Sequence, residues 1–132
     1  MSRLIFFILV TAIYFVGNEA CKEIEIVIKN TLGPSRILQY HCRSGNTNVG
    51  VQYLNFKGTR IIKFKDDGTE RSRWNCLFRQ GINMKFFTEV EAYRPDLKHP
   101  LCGKRYELSA RMDAIYFKMD ERPPQPLNKW RS

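Results

Sequence analysis

The residues of this chain that can do chemistry are four cysteines, two histidines and scattered carboxylates. Cys42 directly follows His41, but neighbouring side chains on a strand point to opposite faces, so the two do not form a nucleophile and its base. His99 stands in a proline-flanked loop, and neither histidine lies in a nuclease motif. Glu89 and Glu91 alternate along one predicted strand, as a solvated face does. No catalytic residue is predicted.

The chain also lacks the usual patterns that hold metals and cofactors. It has no C-x-x-C pair, and its two histidines do not have the spacing of zinc ligands. Neither a glycine-rich phosphate loop, a serine-centred elbow nor an H-E-x-x-H helix occurs. We therefore expect no metal, no cofactor and no enzymatic activity.

An apolar run near the N-terminus indicates a secretory leader. Residues 4–16 are almost entirely apolar, Arg3 precedes them, and Ala20 is a small residue at the expected cleavage point. A membrane-spanning helix would need ~20 apolar residues. The sequence predicts a signal peptide at residues 1–20, a single domain at 21–120 and a proline-rich basic tail at 121–132. Cleavage would remove one basic and one acidic residue, so the net charge would stay at +9.

Secretion would place the cysteines in an oxidising environment. They are Cys21, Cys42, Cys76 and Cys102, an even set that is typical of a disulfide framework. We expect two bridges, each stabilising the fold by roughly 3 to 4 kcal/mol. Four cysteines allow three pairings, and the spacing does not choose among them.

Apolar and polar side chains alternate with a period of two along most of the chain. Ile24, Ile26 and Ile28 share one face of a first strand, and a turn and a return strand ending near residue 42 are the simplest continuation. Short alternating segments then recur roughly every eight to twelve residues, and no convincing helix is present. The sequence predicts an all-β fold, a small antiparallel β-sandwich of about eight strands stabilised by disulfides.

The C-terminal segment has a different composition. Pro123, Pro124 and Pro126 fall within four residues, which predicts an extended, mobile tail without a hydrogen-bonded strand. Trp130 is either a docking anchor or incidental to this tail.

Basic side chains cluster in two parts of the chain, at residues 57–65 and around Trp74. Nucleic acid is a common partner of such patches. A secreted protein instead meets anionic lipids, acidic wall polysaccharides and acidic faces of receptors. We expect no nucleic-acid partner, and at most weak binding to acidic wall polysaccharide or anionic lipid.

Several short motifs follow one another in a distinctive order. They are V-I-K-N-x-L at residues 27–32, L-Q-Y-H-C-R-S at 38–44, W-N-C-L-F at 74–78 and D-A-I-Y at 113–116. This series resembles the plant self-incompatibility protein family, which includes the stigma S proteins of poppy. The resemblance covers roughly residues 22–118, and its His-Cys-x-Ser segment is fairly specific.

The resemblance implies a secreted β-sandwich with two disulfides and no catalytic activity. In poppy such a protein is a pistil ligand that engages a membrane protein on incompatible pollen. The late C-x-x-C pair of the family is reduced to Cys102 here, and Cys21 looks like a substitute partner. Residues 45–48 replace an acidic stretch that is common in the family. The chain has no N-x-S/T site, which excludes N-glycosylation.

The leading hypothesis is a secreted, monomeric signalling ligand whose loops contact a membrane protein at the cell surface, as in the rejection of self pollen. The alternative is a cationic secreted defence protein acting on membranes or cell-wall polyanions. The candidate loops are residues 44–48, 57–60, 66–73 and 93–99. The candidate recognition residues are Arg43, Asn46, Asn48, Lys57, Arg60, Asp66, Asp67, Arg71, Arg73, Arg94, Asp96 and Lys98.

Overall fold

Residues 23–95 and 103–132 are described by a computed structural model, and this part of the chain forms nine strands. Two single turns of 3₁₀ helix lie in the connections between strands, and no helix in these ranges is long and apolar enough to cross a membrane. The strands are β1 (Ile24–Asn30), β2 (Leu38–Arg43), β3 (Asn48–Leu54), β4 (Thr59–Phe64), β5 (Trp74–Gln80), β6 (Phe86–Tyr93), β7 (Arg105–Ala110), β8 (Ala114–Met119) and β9 (Gln125–Lys129).

The strands form two sheets. One has the order β4-β1-β7-β8-β9 and the other has the order β3-β2-β5-β6. Neighbouring strands are antiparallel except β1 and β7, which run parallel. The prediction of a small, disulfide-stabilised all-β sandwich is confirmed, with β9 added to the eight expected strands.

The core lies between the inner faces of the two sheets. Ile24, Ile26 and Ile28 are completely buried on the inner face of β1, as their period of two predicts. Val27 is also completely buried, although it alternates with them, and its partner on β4 is Ile61. The outer face of β1 is therefore covered at Val27, while Glu25 and Lys29 on the same face are partly buried.

The predicted hairpin between β1 and β2 is wrong. β1 pairs with β4 and β7, whereas β2 pairs with β3 and β5 in the other sheet. The connection at residues 31–37 crosses between the sheets, and the completely buried Asn30 holds it in place. Asn30 Nδ2 donates to the carbonyls of Arg36 at 2.9 Å and Leu54 at 2.8 Å, and its Oδ1 accepts from the Leu32 amide at 3.0 Å.

The expectation of a C-terminal segment without a hydrogen-bonded strand is also wrong. β9 pairs with β8 at the edge of its sheet, where Pro126 is tolerated because the outer side of an edge strand needs no amide donor. Trp130 packs against the core and donates from Nε1 to the Arg111 carbonyl at 2.7 Å. Arg131 pairs with Phe87 of β6, so this segment joins the two sheets.

A disulfide between Cys42 and Cys76 links the adjacent strands β2 and β5 on the inner face of their sheet. Both cysteines are completely buried. The other two cysteines of the predicted disulfide framework, Cys21 and Cys102, lie outside the described residues. Two of the four cysteines thus form one bridge within a single sheet, on the face that lines the core.

Candidate recognition surface

Because the strand directions alternate, the connections fall at two ends of the sandwich. The β2–β3 connection at residues 44–47, the β4–β5 connection at 65–73 and residues 94–95 after β6 lie at one end. We call these three segments the Asp67 end. They include most of the loops that the sequence predicts to be recognition loops.

Asp67 organises the β4–β5 connection. Its Oδ1 accepts hydrogen bonds from the Thr69 amide at 2.9 Å, the Thr69 hydroxyl at 2.7 Å and the Ser72 hydroxyl at 2.7 Å. The Asp67 amide in turn donates to Ser72 Oγ at 2.9 Å. Hydrogen bonds from Thr69 and then from Ser72 hold the pKa of Asp67 far below its usual range. The carboxylate therefore stays ionised and fixes the shape of the loop.

The β2–β3 connection packs directly on this loop. The Gly45 amide donates to the Arg71 carbonyl at 3.0 Å, and a Cβ on Gly45 would lie only 2.8 Å from the Cα of Arg71. Asn46 Nδ2 donates to Asp67 Oδ2 at 3.4 Å. Ser44 Oγ accepts from the amides of Asn46 and Thr47 and so closes the turn. The two connections form one continuous surface, which only a glycine at position 45 permits.

An ion-pair network ties β6 to the same loop. Arg73 contacts Glu70 at 2.6 Å and Glu91 at 2.5 Å, and Arg94 contacts Glu91 at 2.8 Å. The hydrogen bonds that Arg73 donates to Glu70 and then to Glu91 raise the pKa of Arg73. Burial acts to raise the pKa of Glu91, but hydrogen bonds from Arg73 and Arg94 outweigh it and leave that pKa below its usual value.

Aromatic rings support these loops from below. Phe64 lies 5.4 Å from Trp74 and 5.0 Å from Tyr93 between ring centroids, and Tyr93 lies 5.4 Å from Tyr106. The Tyr93 hydroxyl donates to Asp66 Oδ2. A polar loop surface is thus held on a packed aromatic base, which favours a rigid surface over an adaptable one.

A cavity of about 240 Å³ opens between the two connections of the Asp67 end. Its lining includes Lys63, Lys65 and Arg71, together with Phe64 and Trp74. The basic side chains of this lining suit an acidic side chain of a partner. In the part of the chain that the structure describes, the lining contains no nucleophile paired with a general acid or base, so it does not suit a reacting substrate. No group of three or more metal-ligating side chains occurs in the described ranges.

The chain was compared with known protein families. Residues 25–130 match the family described as plant self-incompatibility protein S1. The chain belongs to this family. It is 43% identical over 119 residues to S-protein homolog 25 of Arabidopsis thaliana, covering 89% of this chain and 88% of that protein. S-protein homolog 30 of the same plant is 42% identical, with 83% and 87% covered, and S-protein homolog 14 is 35% identical, with 94% and 92% covered.

On this member of the self-incompatibility S1 family, the candidate residues divide into four groups. Six lie at the Asp67 end: Asn46, Asp66, Asp67, Arg71, Arg73 and Arg94. Arg43 and Asn48 lie on β2 and β3, where Arg43 contacts Glu89 at 3.6 Å and Asn48 Oδ1 contacts His41 Nε2 at 2.8 Å. Lys57 and Arg60 lie at the opposite end. Asp96 and Lys98 are outside the described residues.

Three residues that hold the Asp67 end together were not among the individual candidates: Gly45 and Glu70, which fall within predicted loops 44–48 and 66–73, and Glu91, which falls in none of them. Glu91 alternates with Glu89 and so resembles a residue of a solvated strand face, although it pairs with two arginines. The Asp-Asp-Gly-Thr run at residues 66–69 does carry a usable signal, because aspartate and threonine before a short helical turn are typical capping residues.

The Asp67→Asn substitution should reduce the acid sensitivity of this S1-family fold. Unfolded aspartate titrates near pH ~3.9, and the folded-state pKa of Asp67 is lower. The stabilisation by Asp67 is therefore complete above that pH and is lost as pH falls through the folded-state pKa. In urea unfolding from about pH 6 to about pH 2, the wild type should lose more stability than the variant. Glu121→Gln, at an exposed site, is the control, and equal acid sensitivity of wild type and Asp67→Asn would refute the role.

Proposed function

We propose that the protein is secreted after loss of residues 1–20 and is an extracellular signalling ligand for a membrane protein at the cell surface. The interlocked Asp67 end supports this proposal most strongly. Hydrogen bonds and ion pairs hold its loops in one conformation before any partner is present. A preorganised polar surface loses little conformational entropy on binding, which favours specific recognition.

Family membership supports a recognition role over a catalytic one. The name of the family refers to plant self-incompatibility, and the proposed process is of that kind: a secreted protein of one cell is read by a receptor on another, as in rejection of self pollen. The basic cavity beside Arg71 would receive an acidic side chain of the receptor. The remaining candidate residues of the Asp67 end would form the polar rim of the contact.

Arg71 offers a sharp test. Its backbone packs against Gly45, while the residue as a whole is exposed and lines the cavity, so Arg71→Glu should reverse the local charge without unfolding the loop. Arg122→Glu, in the exposed β8–β9 connection at the other edge of the sheet from β4, makes the same change of charge outside the Asp67 end. Binding of the oxidised, labelled protein to cells of the tissue that responds to it is measured as a function of concentration, together with calcium influx.

We expect saturable binding that Arg71→Glu weakens several-fold and Arg122→Glu leaves almost unchanged. Treatment of the cells with protease should abolish it. Binding that does not saturate, disappears at moderate salt and falls equally in both variants would identify charge-driven adhesion and refute a receptor.

A further inference from the structure

The end of the sandwich opposite to the Asp67 end exposes apolar side chains. It comprises the connections at residues 31–37, 55–58, 81–85 and 111–113, and we call it the Ile82 end. Ile82 is 86% exposed, and Ile37 and Met112 are 45% and 51% exposed. Ile37 and Ile82 line one open groove of about 300 Å³. Ile37 and Ile82, which share this groove, form a patch, unlike single exposed residues on a strand.

The backbone of the β5–β6 connection is strained where it holds Ile82 outward. Gly81 has φ of 89°, and the next two residues after Ile82, Asn83 and Met84, have φ of 57° and 53°. Two successive non-glycine residues in the left-handed region are uncommon and strained. Arg79 Nη1 reaches the Met84 carbonyl at 3.4 Å, and the Met84 amide donates to the Gly81 carbonyl at 3.0 Å. The protruding isoleucine is thus a fixed feature of the fold.

The end of the sandwich that carries this apolar tip is also basic. The four connections of the Ile82 end contain four basic residues, Arg36, Lys57, Lys85 and Arg111, and one acidic residue, Asp113, which accepts a hydrogen bond from the Tyr116 hydroxyl. The three segments of the Asp67 end also contain four basic residues, but three acidic ones accompany them. The net charge is therefore +3 at the Ile82 end and +1 at the Asp67 end.

At the Ile82 end, a cation lies beside exposed apolar side chains, and this arrangement suits binding at the surface of a bilayer. The Lys85 ammonium lies 5.9 Å from the centroid of the Phe86 ring, and Phe86 is 38% exposed, with its ring against Gly81, the residue before Ile82. In interfacial binding, apolar side chains enter the boundary between headgroups and acyl chains while cations stay at the level of the phosphates. A polysaccharide would provide anions, but it would leave the exposed Ile82 without an apolar partner.

We propose that the Ile82 end is a peripheral membrane contact that docks on anionic phospholipid. Ile82 enters the interface together with Ile37 and Phe86, and Arg36 and Lys85 bind lipid phosphates. The contact lies on the surface of the bilayer and does not span it. It goes beyond the proposed receptor function, because the Asp67 end would face away from the membrane and remain accessible to a receptor domain.

Vesicle co-sedimentation tests this proposal. The full oxidised protein is mixed with vesicles of phosphatidylcholine and phosphatidylserine, or of phosphatidylcholine alone. We expect binding to the anionic vesicles without leakage of their contents. Ile82→Ser should lower the partition coefficient about tenfold because an inserted isoleucine is lost, and Lys85→Gln should lower it about fivefold.

Two control variants make the same kinds of substitution away from the Ile82 end: one removes an exposed apolar side chain and the other removes an exposed positive charge. Ile61→Ser removes an isoleucine that is 44% exposed on the outer face of a sheet. Lys104→Gln removes an exposed lysine just before β7, at the opposite end of the sandwich. Both should bind like the wild type, and circular dichroism checks that all four variants fold. Equal losses for Lys104→Gln and Lys85→Gln, with no effect of Ile82→Ser, would overturn the proposal. Absence of vesicle binding, with cell binding that Ile82→Ser weakens and protease treatment removes, would also overturn it and assign the tip to a protein partner.

Discussion

Replacing both Cys42 and Cys76 with alanine should lower the free energy of unfolding by about 4 kcal/mol. The two positions are 34 residues apart in the chain, and the bridge restricts that length of chain in the unfolded state. Loss of two sulfur atoms from a completely buried site adds a packing cost. A change of this size should lower the melting temperature by on the order of 15 °C. Urea titration and thermal unfolding of the wild type and the double variant measure it.

Unfolding of both proteins in the presence of a reductant separates the two contributions. Neither protein then contains any bridge, so the difference that remains between them reports the packing of the two sulfur atoms and should be smaller than the difference between the oxidised proteins. Coincident unfolding of the double variant and the wild type, both oxidised, would show that this bridge does not stabilise the fold. An equally large difference under the reductant would assign the whole loss to packing.

The sequence is most informative where the structure depends on local alternation. Ile24, Ile26 and Ile28 point inward because successive side chains of any strand point to opposite faces. The same reasoning predicts the inner positions Trp74, Cys76 and Phe78 of β5, which are all buried. The fold class follows from many short segments of this kind, and it requires no knowledge of which strands pair.

Pairing depends on contacts between distant residues, and there the sequence interpretation fails. The turn residues at positions 31–37 suit a hairpin as well as a crossing between sheets, so composition does not separate the two. The buried Asn30 stabilises the crossing, because its side chain donates hydrogen bonds to the carbonyls of residues 36 and 54. β9 is a similar case, since Pro126 is excluded from central strands but tolerated at an edge, and edge position is a property of the whole sheet.

The candidate surface could be predicted only in part, because it too depends on contacts between distant residues. Exposed loops can be identified from glycine, aspartate and asparagine, and six of the candidate residues do lie together at the Asp67 end. Lys57 and Arg60 lie at the opposite end because β3 and β4 meet there, which follows from strand direction and not from charge. Glu91 joins the surface only because β6 runs beside β5 and ends near Arg73.

Asn30→Leu should be a second strongly destabilising change, lowering the free energy of unfolding by about 4 kcal/mol. Asn30 is completely buried, and its side chain satisfies two carbonyls and one amide of the backbone. Leucine has similar size but no polar atom, so all three backbone groups would lose this partner, the Leu32 amide at a buried site and the two carbonyls at partly buried ones. Each unsatisfied group costs roughly 1 to 3 kcal/mol. Urea unfolding at neutral pH measures the loss.

Asn30→Asp separates this polar role from packing, because it keeps the shape of the side chain. A carboxylate at this position would face the carbonyl oxygens of Arg36 and Leu54, which now accept from the Asn30 amide group. Burial and these oxygens would raise the folded-state pKa of the new aspartate above the unfolded value of ~3.9. The variant should therefore lose stability relative to the wild type as pH rises from about 4 to about 7.

Asn128→Asp is the matched control, since Asn128 also donates to a carbonyl, that of Glu89, but at an exposed site. Equal pH dependence of the two variants would show that Asn30 does not hold the crossing through its buried amide.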